Sequence, residues 1–116
     1  MIRAIHKTFT VLVLGIGIVH TAGTLAFYTA LTESAVWFAG AGLGGIFVAL
    51  LNMGLWPPSP PALSWRLAGV ANGLFLAWLA LGVSATPGVA QFVVAGVGAG
   101  MVFSGFWLYV TGEAKG

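Results

Sequence analysis

With 116 residues, 59% of them hydrophobic and 5% charged, the chain has too few charges to cover a soluble domain, which carries about 25% charged residues. The lack of cysteine excludes disulfides, thiolate metal sites and cysteine nucleophiles, and a net charge of +2 is too small for a nucleic-acid-binding face. The composition therefore indicates a single integral membrane domain surrounded by the lipid bilayer.

Four apolar stretches are long enough to cross a bilayer, which takes about 20 residues in a helix. We predict spans at about residues 6–31, 35–55, 67–84 and 89–110, and an all-α bundle of four transmembrane helices as the fold. The proline-rich segment WPPSPPALSWR (56–66) is predicted to be a stiff extended loop between the two pairs of spans. A cleaved signal peptide is the alternative for the first stretch, but its apolar run exceeds the usual length.

The basic residues predict one orientation in the membrane. Arg3 and Lys7 precede the first span, Arg66 lies in the middle loop and Lys115 in the tail, whereas the other two turns contain no lysine or arginine. Cytoplasmic segments carry an excess of lysine and arginine. We therefore predict that both termini and the 56–66 loop lie in the cytoplasm, with the chain in an inner or plasma membrane.

Small residues recur at four-residue spacing in the second and fourth spans. The segment AGLGG (41–45) matches AGVGA (95–99) at an offset of 54 residues, which indicates either two repeated helical hairpins or a chance match in a glycine-rich chain. Small residues four apart share one helix face and let two backbones approach closely. We therefore predict close helix packing at Gly40, Gly44, Gly45, Gly96, Gly100 and Ser104, either between these two spans or with a second copy of the chain.

His20, about midway along the first span, is the sharpest candidate for a functional site. An ionisable side chain within a membrane indicates function, and the structural alternative is an interhelical hydrogen bond. The functional hypotheses are a proton relay, a haem or metal ligand, or a hydrogen bond to a quinone or another lipophilic ligand. His6 shares the face but lies about 21 Å away along the helix, so the two cannot bind one metal. Thr24 and Tyr28 lie near the same stripe.

Each of the other candidate residues has a functional and a structural interpretation. Glu33 is either a gating carboxylate or a first-turn carboxylate stabilised by the helix dipole. Trp78 lies deeper than the other tryptophans and faces either a ligand or lipid. Asn52 and Asn72 fall in the inner thirds of neighbouring spans, where their amides can bond to each other as a polar interhelical contact.

The chain lacks enzyme signatures, since it has no aspartate and no serine-nucleophile, zinc-protease or phosphate-loop motif. The sequence favours a non-enzymatic membrane protein that acts through helix–helix association, as a homo-oligomer or with other membrane subunits. The alternative is a carrier or binder of a small lipophilic ligand (a quinone, haem or drug-like molecule), with proton coupling through His20. The sequence identifies no particular cofactor and predicts no metal site.

Overall fold

The computed structural model describes residues 1–112, and every regular element in that range is a helix. The helices are α1 (Ile2–Phe27), α2 (Glu33–Met53), α3 (Ala62–Ala85) and α4 (Val89–Thr111). Each is long and apolar enough to cross a membrane, so the all-helical prediction is confirmed and the four helices suggest a membrane protein. The tail charges Glu113 and Lys115 lie outside the described residues.

The helices form a ring in which each packs against two neighbours. α1 contacts α2 and α4, and α3 closes the ring through contacts with the same two helices. The buried core consists of Val13, Val48, Ala49 and Met101. We call the end with the N-terminus and the loop at 54–61 the inner end, and the end with the two short turns the outer end.

α1 starts and ends four residues earlier than the predicted span. Arg3 and Lys7 consequently lie within the helix and not ahead of it. Arg3 Nη1 donates to the carbonyl oxygens of Trp56 (3.1 Å) and Pro57 (3.2 Å), and Lys7 Nζ lies 5.4 Å from the centre of the Trp56 ring. Long basic side chains can extend from a helix to its end in this way, so the two charges do not delay the start of α1.

α3 begins earlier than the proline-rich sequence predicts. Pro61 is its N-cap residue, and residues 62–66 are helical and do not form an extended loop. Proline disrupts a helix where a backbone N–H is needed, but at the start of a helix that N–H has no partner to lose. Since no proline follows Pro61 in this segment, the helix starts directly after it and contains Arg66.

The closest helix contact joins α1 and α2 at Gly17 and Gly42, two glycines that were not predicted to pack. A Cβ atom on Gly17 would lie 2.8 Å from the Gly42 carbonyl oxygen and 2.9 Å from the Ile46 backbone nitrogen. Real Cβ atoms do not approach other atoms so closely, so the contact requires glycine. The predicted Gly45 belongs to the same contact, since its Cβ would lie 3.6 Å from Gly17 Cα.

The other predicted packing residues fall into two groups. Gly100 lies against the ring of Phe9, and Ser104 is buried, so these two face the bundle interior. The second group has no atom within 4 Å of a Cβ position and does not pack against another helix of this chain, so for these residues only packing against a second copy stays a prediction. It comprises Gly40, Gly44 and Gly96.

The glycines that match between the two halves differ in their contacts. Gly42 packs on α1, whereas the matching Gly96 faces open space. Gly44 faces open space, whereas a Cβ on the matching Gly98 would touch the Leu79 side chain and the Phe75 ring. The similarity in sequence between the two hairpins therefore does not extend to their packing.

Candidate functional site

A cavity of about 340 Å³ lies between the four helices in the outer half of the bundle. Val13 and Gly45 border it on the inner side, next to the buried core. Its lining is apolar apart from His20 and two residues at the outer end, Thr86 and Gln91, and no charged residue of the described chain lines it. Cavities of about 300–1,000 Å³ with a few polar groups are typical of small-molecule sites.

His20 is the polar side chain that lies deepest in this cavity. Its ring stacks on that of Phe38, with 3.7 Å between ring centroids and 20° between ring planes. Seven residues separate it from the end of α1, which places it about 10 Å below the outer end of the helix. Neither ring nitrogen has a hydrogen-bond partner within residues 1–112. Phe38 therefore orients an imidazole whose donor and acceptor remain available to a ligand.

A second aromatic pair borders the cavity from α3. The rings of Phe75 and Trp78 stack with 5.9 Å between centroids and 14° between planes, and both residues line the cavity. Trp78 lines the cavity and is 45% exposed. Whether its ring faces a ligand or lipid stays a prediction.

Three predicted site residues do not line the cavity. Thr24 Oγ1 donates to the backbone carbonyl of His20 at 3.4 Å, and the Tyr28 ring packs against Phe38 at 5.6 Å between centroids. Glu33 is exposed at the first residue of α2, where it accepts a hydrogen bond from an indole N–H one turn later. Its position fits the structural interpretation, a carboxylate at the positive end of the helix dipole.

The inner half of the bundle holds a buried polar cluster with one side chain from each helix: His6, Asn52, Asn72 and Ser104. Asn52 Nδ2 donates to Asn72 Oδ1 at 2.6 Å, and Asn72 Nδ2 donates to Asn52 Oδ1 at 3.1 Å. Asn52 Nδ2 also donates to the Val48 carbonyl at 2.8 Å. The structure thus brings the two predicted amides together as a contact between α2 and α3.

His6 was not among the predicted site residues, yet it is completely buried. Its Nδ1 lies 3.2 Å from both the Met101 carbonyl oxygen and Ser104 Oγ. Because a carbonyl oxygen only accepts hydrogen bonds, we assign the ring proton to Nδ1. Nε2 is buried without a hydrogen-bond partner among the described residues. Gly105 makes room for the ring, since a Cβ there would lie 3.1 Å from Cε1.

The spacing of the two histidines was the signal that could have identified His6. They are 14 residues apart, which is two heptads, so both lie on one face of α1. Thr10, Val13 and Gly17 lie between them on this face and are all buried. The face that contains the histidines is therefore the one that α1 turns towards the bundle axis.

Over residues 1–112, these features define a small helical protein whose four helices are long enough to span a membrane and line a half-open cavity with one imidazole. No protein-family model, curated protein or solved structure matches the chain. Within residues 1–112, no three histidine, aspartate or glutamate side chains group in a way that could hold a metal ion.

Proposed function

We propose that the chain is a non-enzymatic membrane protein that binds or carries a small lipophilic molecule in the cavity beside His20. The observation that carries this proposal is an imidazole that has no hydrogen-bond partner among residues 1–112 and faces a cavity lined by all four helices. In a lipid environment, a polar group without a partner costs several kcal/mol. A ligand with a hydrogen-bonding group would offset this cost, which explains why a histidine is found there.

The cavity lining favours an uncharged, mostly apolar ligand. An ionised ligand taken out of water needs a paired charge, and no charged side chain of residues 1–112 lines the cavity. Aromatic and aliphatic side chains supply most of the contact surface. Proton coupling through His20 remains part of the carrier hypothesis, because imidazole is the side chain that titrates near neutral pH.

Replacing His20 with leucine is expected to weaken retention of the ligand about tenfold, the effect of losing one hydrogen bond of about 1.4 kcal/mol. The measurement is native mass spectrometry of the full chain extracted in mild detergent, which compares the fraction of protein that carries an additional small mass. An absorption spectrum of the same samples detects a bound chromophore.

Thr24→Val is the matched control for this measurement, because Thr24 lies one turn further along α1 and does not line the cavity. It should retain the ligand as the unmodified chain does. Circular dichroism and elution volume establish that each variant is folded. A wild-type chain without any bound mass, also after incubation with lipid extract, would contradict the proposal.

For the orientation in the membrane, we infer that the inner end faces the cytoplasm. The charges support this, since Arg3, Lys7 and Arg66 belong to segments at the inner end, and the turns at the outer end contain no lysine or arginine. Lys115 follows α4 in the sequence and adds to the same bias. Both termini and the loop between α2 and α3 would then be cytoplasmic.

Helix–helix association, with a second copy or as an accessory subunit, is the second candidate function. It is favoured by the exposed faces of α2 and α3, where Gly40, Gly44, Gly69 and Gly73 have no atom within 4 Å of a Cβ position. On each helix the two glycines are four residues apart and present a backbone that another membrane helix can approach closely.

The association hypothesis predicts a multimer or heteromer in uncharged lipid nanodiscs, measured as native mass. Gly40→Leu combined with Gly44→Leu should then reduce the mass to that of a monomer, because the larger side chains hold a partner helix away. Gly15→Leu is the control, as Gly15 is equally open but lies on α1. A wild-type monomer with no partner would rule out association as the function.

A further inference from the structure

The aromatic rings of the cavity lining indicate which kind of lipophilic molecule binds there. This inference rests on the function proposed above. Two stacked aromatic pairs border the cavity, His20–Phe38 from α1 and α2 and Phe75–Trp78 from α3. Within each pair the ring planes are nearly parallel, at 20° and 14°. Flat aromatic surfaces favour a flat conjugated ligand, because offset stacking adds to the contact that any apolar ligand would make.

The polar groups of the lining require more than a flat hydrocarbon. A purely hydrocarbon ligand would leave both nitrogens of His20 without a partner in an apolar cavity. A carboxylate or ammonium group would lack a countercharge, since the described part of the chain places no charged side chain in the cavity lining. A ring that carries its own uncharged oxygen satisfies the imidazole and needs no countercharge.

Hydrogen-bonding groups occur at two levels of the cavity, His20 in its interior and Thr86 and Gln91 at its outer end. A neutral imidazole and a primary amide each offer a donor and an acceptor. Thr86 Oγ1 donates to the Gly82 carbonyl at 3.2 Å, so its hydroxyl proton is already used and it offers a ligand acceptor capacity. His20 and Gln91 can therefore bind either a carbonyl oxygen or a hydroxyl group, whereas Thr86 can accept from a hydroxyl group.

We propose that the cavity ligand is a quinone-type molecule, a flat ring with oxygens on opposite sides and an apolar tail, bound in both its quinone and quinol forms. One ring oxygen bonds to His20, the ring stacks against the aromatic pairs, and the other oxygen is directed towards Gln91. The proposal concerns binding alone and includes no electron transfer by the chain.

The two histidines of the chain provide a site and an internal control in one sample. The full chain, labelled with ¹⁵N-histidine and held in nanodiscs of uncharged phospholipid, is titrated with 2-decyl-1,4-benzoquinone, its quinol, and decylbenzene, which lacks the ring oxygens. We expect the ring ¹⁵N signals of His20 to shift saturably with quinone and quinol. Those of His6 should not move, because its ring is buried in the inner polar cluster. Decylbenzene should bind about tenfold more weakly.

Variants of two tryptophans test the role of stacking. Trp78→Leu removes one of the flat surfaces and should weaken quinone binding about three- to tenfold. Trp107→Leu is the matched control, since Trp107 is 56% exposed and does not line the cavity. It should leave the affinity unchanged.

The outcomes separate this inference from the proposed function. Equal saturable binding of quinone and decylbenzene, without a shift at His20, would overturn the quinone class while lipophilic binding stands. If no probe binds saturably and the native mass shows no other ligand, both the quinone class and the proposed function are wrong. If quinone shifts the His20 signals but Trp78→Leu leaves the quinone affinity unchanged, the stacked placement of the quinone ring is wrong.

Discussion

Replacing Gly17 with alanine is expected to lower the free energy of unfolding by about 1–3 kcal/mol, the usual cost of overpacking. The added Cβ would lie within 3 Å of the Gly42 carbonyl oxygen and the Ile46 backbone nitrogen. These are backbone atoms that cannot rotate away, so α1 and α2 must separate. The measurement is the unfolding free energy in mixed micelles, titrated with sodium dodecyl sulfate and followed by tryptophan fluorescence.

Gly15→Ala and Gly44→Ala are matched controls on the same two helices, since both glycines have no atom within 4 Å of a Cβ position. They should leave stability unchanged or raise it by up to about 1 kcal/mol, because alanine has the higher helix propensity. Gly42→Ala should resemble Gly17→Ala, as its Cβ would lie 2.8 Å from the Gly17 carbonyl oxygen. Equal effects at Gly15 and Gly17 would contradict the close α1–α2 contact.

Which helix faces turn inwards was harder to predict than the helices themselves. A run of about 20 apolar residues suffices to predict each helix. The four-residue spacing predicted packing at Gly40, Gly44 and Gly45 of α2, but of these only Gly45 contacts α1, together with Gly42. These helices are apolar on all sides, so no amphipathic pattern distinguishes the face in contact with neighbouring helices from the exposed one.

Buried polar residues indicate which face of a helix turns inwards, which the glycine spacing does not. Stepping back from Asn52 by three or four residues leads to Val48, Gly45 and Gly42, all of which are buried. The same steps from Ser104 lead to Met101 and Gly98, which are also buried. In a chain with few polar side chains, those that must find partners mark the inward face, because exposure to lipid would leave them without hydrogen bonds.

The candidate site could be predicted only in part for a related reason. His20 stood out because an imidazole is rare in an apolar span. Phe38 and Phe75 gave no such signal, since phenylalanine is equally common on surfaces that face lipid. Their place beside His20 depends on how α2 and α3 pack, which the sequence pattern does not specify.

Replacing either member of the buried amide pair with leucine is expected to cost about 1–3 kcal/mol of unfolding free energy. Asn72→Leu leaves Asn52 Oδ1 without its hydrogen-bond donor inside the bundle. Asn52→Leu leaves both Oδ1 and Nδ2 of Asn72 without their hydrogen-bond partner. Both residues are buried, at 0% and 7% exposure, so water cannot easily replace the lost partner.

The double variant Asn52→Leu/Asn72→Leu should cost less than the sum of the single variants, because no orphaned amide remains. We expect a coupling energy of about 0.6–1.7 kcal/mol, the range for interhelical hydrogen bonds in membrane proteins. Gln91→Leu is the control, because this amide is exposed at the outer end and its replacement should change the unfolding free energy little. Strict additivity in the same micelle titration would show that the two amides do not stabilise one another. The contact between α2 and α3 would then depend on apolar packing alone.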